Sequence, residues 1–321
     1  MSKKIAVIGA GLSGIIVARE LARFAEVKVF EKSRGVGGRI ATRYADPYQF
    51  DHGSQFFTVK TPEFQGFVDE LVQENVVVRW DANFVEIEGN KIISGRKWDE
   101  TNPHYIGYPR MNVICKHLAK DLDLSLEVRI ARIANNEIFD ENNNSLGAYD
   151  FVVLAIPAEQ AAALLPVNFA YRSLIENTKM LGAHSMMLGF KEPLQMPWQA
   201  ALVTKADISW VSVNSSKGGR PEGFSILAHS TNAWSEAHIE NDLDWAKEHL
   251  IAELSAITGF DMTAAEHQAI HRWRYANIGK QTGEKSLFDP QLKIGVCGDW
   301  LIQGRIESAY ISAMDLVKKL Q

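Results

Sequence analysis

The sequence predicts an α/β protein: one domain built on a parallel sheet, with a second, interleaved α+β domain. Three observations predict it. Continuous apolar runs of the kind that fill parallel sheets stand near the beginning, middle and end of the chain. The first of them runs into a glycine-rich turn that opens a helix. The stretches between them alternate or are rich in aromatics, as antiparallel strands with one covered face do. At 321 residues the chain exceeds one ordinary core, so two joined domains are expected.

Each element has its own signal. Ile5–Ile8 is an uninterrupted apolar strand, Leu12, Ile15, Ile16 and Leu21 follow at helical spacing, and Val27–Phe30 returns as a strand, which makes a βαβ unit. Phe151–Ile156 is a second buried strand, closed by Pro157, which cannot donate to a ladder. Lys293–Cys297 is a third, before a helix with apolar positions Ile306, Tyr310, Ala313, Val317 and Leu320. Ser209–Val213 and Phe224–Ala228 suit antiparallel strands, and Asn214–Pro221 between them reads as a loop. The nucleotide domain is therefore expected to be discontinuous, from residues 1–75, 105–165 and 290–321. Residues 76–104 and 166–289 are left for the substrate domain.

Composition excludes several classes. A net charge of −5 disfavours nucleic acid, which needs a concentrated basic surface. The longest apolar run, Phe151–Ala158, is far short of a membrane span, and Ile5–Ile8 is too short for a signal-peptide core. Two distant cysteines, Cys115 and Cys297, suit reduced thiols, and a cytoplasmic location is expected. The histidines show no metal-ligand spacing, so no metal is expected, and no nucleophile motif occurs.

The chemistry lies in glycine-rich turns. In Gly9-Ala-Gly11-Leu12-Ser13-Gly14, Gly9 permits the turn, Gly11 lets backbone approach a pyrophosphate, and Gly14 allows helix to pack on strand. The helix start, at Leu12 and Ser13, offers free amides and a positive dipole end to the phosphates. Glu31 closes the second strand, where a carboxylate binds a ribose diol and repels a 2′-phosphate. This is the Rossmann fingerprint, and it does not choose between FAD and NAD. Arg34-Gly-Val-Gly37-Gly38-Arg39 follows three residues later and resembles the RxGGR sequence of the flavoprotein superfamily that includes amine oxidases and protoporphyrinogen oxidase. Glycine amides there would crowd a second phosphate while arginine supplies a cationic fork.

The resemblance implies a domain of the glutathione-reductase/amine-oxidase kind and further FAD contacts. Phe50–Phe57 is similar to the segment that passes beside the flavin, which places Ser54 and Gln55 at the cofactor. Gly298-Asp299-Trp300 and Gly304-Arg305-Ile306 are similar to the turn and helix start at the ribitol and the flavin N1/O2 edge. Lys32, Gly38 and Arg39 would lie along the dinucleotide. Leu126–Ile130 reads as the strand beside adenine, with Val128 as the contact, and Leu154–Ala158 resembles the passage near the diphosphate.

Over its whole length the chain resembles the bacterial renalases. Lys32–Arg39, the Ala228–Ser235 segment, His271-Arg-Trp273-Arg-Tyr275-Ala276 and Cys297–Glu307 carry the likeness. The sequence departs from that family at His52, where relatives have a nonpolar residue, and at Pro109–Arg110, where they have a nearby glycine. The resemblance implies oxidation of 1,2- and 1,6-dihydro isomers of NAD(P)H to NAD(P)+, with hydride passing to noncovalent FAD and O2 leaving as H2O2. It implies a pocket walled by Gln55, His229, Trp273 and Trp300 and no obligatory general base. The alternatives are an amine or polyamine oxidase, or a cofactor-free interaction protein on the same fold.

Overall fold

The computed structural model describes residues 2–321. The chain divides into two compact units, each assembled from separated segments. The first comprises residues 1–39, 114–180 and 277–321, and the second residues 40–113 and 181–276.

The first unit is organised by a six-stranded sheet. Its order is Leu287–Asp289, Ile294–Val296, Phe151–Leu154, Lys3–Ile8, Ala25–Glu31 and Asp123–Leu126. All neighbouring pairs are parallel except the first, which is antiparallel. The apolar runs of the sequence are its central strands, and their burial on both faces explains why they do not alternate. Helices Leu12–Leu21 and Ile306–Leu320 accompany it, and Ser13 Oγ donates to the Ala309 carbonyl at 3.0 Å to tie them.

One strand differs from the sequence reading. The strand in this part of the chain is Asp123–Leu126, not Leu126–Ile130. It pairs with Ala25–Glu31 and ends where Glu127 turns to φ +57. Ile130–Ala134 then belongs to a separate three-stranded sheet. The alternation Leu126-Glu-Val128-Arg-Ile130 reads as a strand and conceals a left-handed residue, because Glu127 carries no turn signature.

The second unit carries a seven-stranded sheet, in the order His267–Asn277, Leu181–Phe190, Phe224–Ser230, Ile208–Val213, Ala200–Thr204, Asn83–Glu88 and Lys91–Lys97. Strand alternation sorts its two faces. Met186, Leu188, Ile226 and Ala228 pack with Leu250, Ile251 and Leu254 of helix Leu243–Thr258. Met187 and Leu227 point the other way, against Tyr48 and Phe50. Asp242 caps that helix through the amides of Asp244 and Trp245, and Gly259 ends it at φ +75.

The compact units differ in extent from the expected domains. Residues 40–75 and 105–113 lie in the second unit, since the hairpin of Arg43–Ala45 and Tyr48–Phe50 buries Tyr48 and Phe50 on that sheet and Phe57 pairs with Tyr105. Residues 166–180 and 277–289 lie in the first unit. Leu287–Asp289 pairs with Ile294–Val296, and Asp289 accepts the amide of Ala170 at 3.0 Å.

Candidate functional site

Register brings the sequence motifs of the first unit to one edge. Ile8 lies beside Leu154 and Phe30, Leu154 beside Val296, and Glu31 beside Leu126. Gly9, Glu31, Val128 and Asp299 therefore all leave the sheet at its carboxyl edge, where open α/β sheets bind ligands.

The first turn has no room for side chains at two of its glycines. A Cβ on Gly14 would lie 1.9 Å from the Gly9 carbonyl oxygen, and one on Gly9, whose φ is +102, would lie 2.6 Å from the Ala155 oxygen. Gly11 is different: a Cβ there would meet nothing within 4 Å. Open space thus stands over the backbone at the start of helix Leu12–Leu21. No side chain caps that helix, and its first amides lack intrahelical acceptors. Leu12 and Ser13 are buried, so what they present to a ligand is backbone.

Glu31 braces the turn. One carboxylate oxygen accepts the Ala10 amide and the other the Ser33 amide, each at 2.8 Å. A carboxylate has lone pairs beyond these two, which can accept from further donors such as hydroxyls. The Val128 amide donates to the Glu31 carbonyl at 2.9 Å, which sets Val128 beside the acid. Lys32 is exposed on the following residue.

The second glycine loop closes onto the first. The Gly37 amide donates to the Ala10 carbonyl at 2.9 Å, Gly11 and Gly37 form an isolated bridge, and Gly37 and Gly38 have φ of +120 and +52. Arg39 follows and grips Asp299: Nη1 donates to Oδ2 at 2.9 Å and Nη2 to Oδ1. The Gly298 amide donates to Ser312 Oγ at 2.9 Å, fixing the turn before Asp299. Helix Ile306–Leu320 begins at Arg305 with no side-chain cap, as helix Leu12–Leu21 does at Gly11. Trp300 is 1% exposed and donates its indole N–H to the Ile156 carbonyl at 3.0 Å. It braces the strand ends and presents no face to a ligand.

Open space over Gly11, two uncapped helix starts, a carboxylate with spare lone pairs and a guanidinium together fit a dinucleotide such as FAD.

In the second unit the Asp51–Phe57 segment lies on the sheet. The His52 carbonyl receives three donors: Ser185 Oγ at 2.6 Å, Trp273 Nε1 at 2.9 Å and, where that nitrogen carries the proton, His229 Nε2 at 3.4 Å. The His52 ring stacks on Trp273 with centroids 5.0 Å apart and meets His271 edge-on at 4.9 Å. Burial pushes His52 and His229 down to about 4, and Arg43 adds to the effect on His52. His271 is lowered as well, by burial and then by Arg43. These imidazoles are neutral near pH 7.

Gln55, expected at the flavin and in the pocket wall, is buried in this unit and fully engaged. Its oxygen accepts from Ser212 Oγ at 2.7 Å and Lys217 Nζ at 3.0 Å, and its amide donates to the carbonyls of Gly53 and Asp51. Ser54 also lies in this unit, half-buried. His229 and Trp273 are brought together through His52, while Trp300 belongs to the other unit.

Sequence reasoning missed a buried charge cluster. Asp51 accepts from Thr42 Oγ1 at 2.8 Å and the Met111 amide at 3.1 Å, pairs with Arg220, and has Lys217 at 3.6 Å. Burial alone would raise Asp51, but the Lys217 and Arg220 cations outweigh it and hold the carboxyl low. Burial pushes Lys217 down to about 7 against the pull of Asp51. Both cations come from the loop read as a plain connection, where only polar composition was visible.

The geometry defines a Rossmann-type dinucleotide-binding fold joined to a second α+β unit. An NAD(P)-binding Rossmann-like domain family matches residues 7–71. Solved structures extend the likeness to the whole chain. A provisionally named protoporphyrinogen oxidase from Exiguobacterium sp. 255-15 has a TM-score of 0.79 at 11% identity, covering 100% of this chain and 99% of that one. Wild-type putrescine oxidase bound to putrescine has a TM-score of 0.71 at 11% identity, with 100% and 99% covered. A Pyrococcus furiosus protein has a TM-score of 0.66 at 13% identity, with 99% and 97% covered. Identities this low establish the shared fold. Among the described residues no helix is long and apolar enough to cross a membrane.

Proposed function

We propose that the chain is an oxidoreductase with noncovalent FAD that oxidises dihydronicotinamide dinucleotides of the 1,2- and 1,6- type to NAD(P)+, with O2 as the final acceptor. The choice of FAD over NAD as resident cofactor is supported by the loop of residues 34–39, which closes on the first turn and delivers Arg39 to Asp299. Burial pushes the thiols of Cys115 and Cys297 up, which leaves no reactive sulfur for covalent attachment.

The observation that carries the substrate choice is the charge around His52, His229, His271 and Trp273. The imidazoles are neutral, and the cation acting on His52 and His271 is Arg43. Asp51, the acid adjoining His52, is committed to Arg220 and Lys217. A cationic amine finds no free carboxylate there, whereas a dinucleotide brings a diphosphate that Arg43 attracts. The amine-oxidase alternative is disfavoured on that ground.

When bound, FAD supplies a two-electron acceptor for the hydride leaving the dihydropyridine, and O2 then takes two electrons and two protons as H2O2. The residues of the chain bind and orient. Within the first unit, helix starts and glycine amides hold phosphates and Glu31 a ribose. Loss of hydride yields an aromatic pyridinium, so no side chain needs to remove a proton, in keeping with histidines whose basicity burial has suppressed.

Anaerobic stopped-flow with separately prepared 1,2- and 1,6-dihydro-NAD, 1,4-NADH, benzylamine and spermine tests this reading. Fast flavin bleaching by the 1,2- or 1,6-isomer, with slow bleaching by the others, is expected. Fast bleaching by an amine with no response to either isomer would overturn it in favour of an amine oxidase.

A further inference from the structure

We propose that this chain associates with a second copy of itself, the exposed strand Lys91–Lys97 of one copy docking on the start of helix Leu243–Thr258 of the other. Both elements lie in the second unit.

The strand is an edge of the seven-stranded sheet, and all seven of its residues are exposed. Ile92 is 55% and Ile93 59% exposed, an apolar pair that nothing in the chain covers. Around them stand Lys91, Arg96 and Lys97, with no acid in the strand. Arg96 reaches Glu86 only at 3.9 Å, and Lys91 and Lys97 make no ion pair among the described residues. The register shifts so that Ile92 faces Ile87 and Ser94 faces Glu86, which leaves Ile93 between them without a partner. A bulge and edge lysines both oppose the addition of a further strand. Pairing this strand with its own copy would also set cation against cation. Its complement is therefore an acidic, partly apolar surface of another kind.

The second unit itself carries one. Of the eight tryptophans only Trp245 is exposed, at 41%, and Leu243 close by is 37% exposed. Asp242 and Glu248 stand one turn to either side of Trp245 along the helix. Lys247 pairs with Asp244 at 2.8 Å, whereas Asp242 and Glu248 make no ion pair among the described residues. The Trp245 ring is held in place: it lies parallel to Trp234 with centroids 6.0 Å apart and 5.7 Å from His249, whose Nε2 is 2.8 Å from Asp207 Oδ2. A ring already fixed loses little freedom on binding, and such tryptophans anchor interfaces. Two isoleucines among cations thus match a tryptophan and a leucine among carboxylates, so that apolar centres meet and charged rims attract.

Sedimentation equilibrium of the full chain at low ionic strength tests this. The weight-average mass should rise above that of one copy between about 5 and 200 μM, the weak range of a small interface. Raising the salt to about 0.5 M should weaken the association, because it screens the charged rims. K91E/K97E on the strand and L243S/E248K on the helix should each weaken it by at least about tenfold. Both sets of changes lie at exposed positions, and the second keeps the Trp245 stack. Each variant retains the surface that the other lacks, so their equimolar mixture should form dimers although neither variant associates alone. A monomer at every concentration, whether or not it binds anionic vesicles, overturns the proposal. So does association that the variants leave unchanged, or a mixture that stays monomeric where the wild type associates.

Discussion

Arg39 and Asp299 lie 260 positions apart in the sequence and meet in a two-pronged ion pair, with Arg39 Nη1 donating to Asp299 Oδ2 at 2.9 Å and Nη2 donating to Oδ1. The pair joins the glycine loop after the second strand to the turn before the last helix. Asp299→Asn keeps the size of the side chain and removes the charge that orients the guanidinium. FAD affinity should fall by at least about tenfold, since hydrogen bonds to charged groups are worth roughly 1.5–3 kcal/mol. Fluorescence titration of stripped protein with FAD measures it, and an unchanged dissociation constant would separate the pair from the cofactor.

Gly11 and Gly14 should fail in different ways. Gly14→Ala puts a methyl 1.9 Å from the Gly9 oxygen, so the turn must move, at a cost of about 1–3 kcal/mol or more. Gly11→Ala places its methyl in open space at φ −72, which alanine adopts without strain. Its thermal midpoint without cofactor should match the wild type while FAD affinity drops, because the methyl occupies the approach to the pyrophosphate. Equal cofactor affinity in Gly11→Ala and wild type would show that the diphosphate does not lie there.

Asp51 is the counter-charge for two buried cations. Asp51→Asn leaves Lys217 and Arg220 without it, and breaking a buried pair in this way costs about 3–5 kcal/mol. Urea unfolding should show that loss. A change under about 1 kcal/mol would mean the cations find other compensation.

Lys217 gives the second unit a pH dependence of defined sign. Its folded value, about 7, lies below the unfolded value of about 10.4. Between the two, the unfolded chain binds more protons, so stability rises with pH. Below about 7 both states are protonated and the full cost of burying the ammonium is present. Lys217→Met removes this response, so wild-type stability measured relative to the variant should climb from pH 7 to 9. Parallel curves over that range would show that Lys217 stays charged in the folded protein.

The sequence made the first unit legible because its signals are local. Ile5–Ile8, the glycines at 9, 11 and 14, and Glu31 fall within one βαβ unit, and a chance match rarely has strand, turn, helix and acid in order. Asp299 was legible through its turn and following helix, but its bond to Arg39 was not, since nothing local signals a partner 260 residues away. The second unit was harder to read. Gln55 stood out as a polar residue among aromatics, and only the fold reveals that Ser212, Lys217 and two carbonyls use all of its capacity. Trp300 stood out by its neighbours and proves to be an internal brace. Lys217 was invisible, because a lysine in a Ser- and Gly-rich loop is ordinarily solvated, and burial depends on which sheet the loop folds over. The place of the Tyr48–Phe50 strand was hidden for a related reason: Tyr48 and Phe50 are apolar in any domain, and their partners Met187 and Leu227 lie far along the chain.

The visible absorption spectrum of the purified protein tests the central claim most directly. Bound oxidised FAD should give bands near about 370 and 450 nm, and denaturation should release the chromophore if it is held without a covalent bond, as proposed. A colourless protein that also fails to take up added FAD would contradict the account and leave the fold as a scaffold for some other interaction.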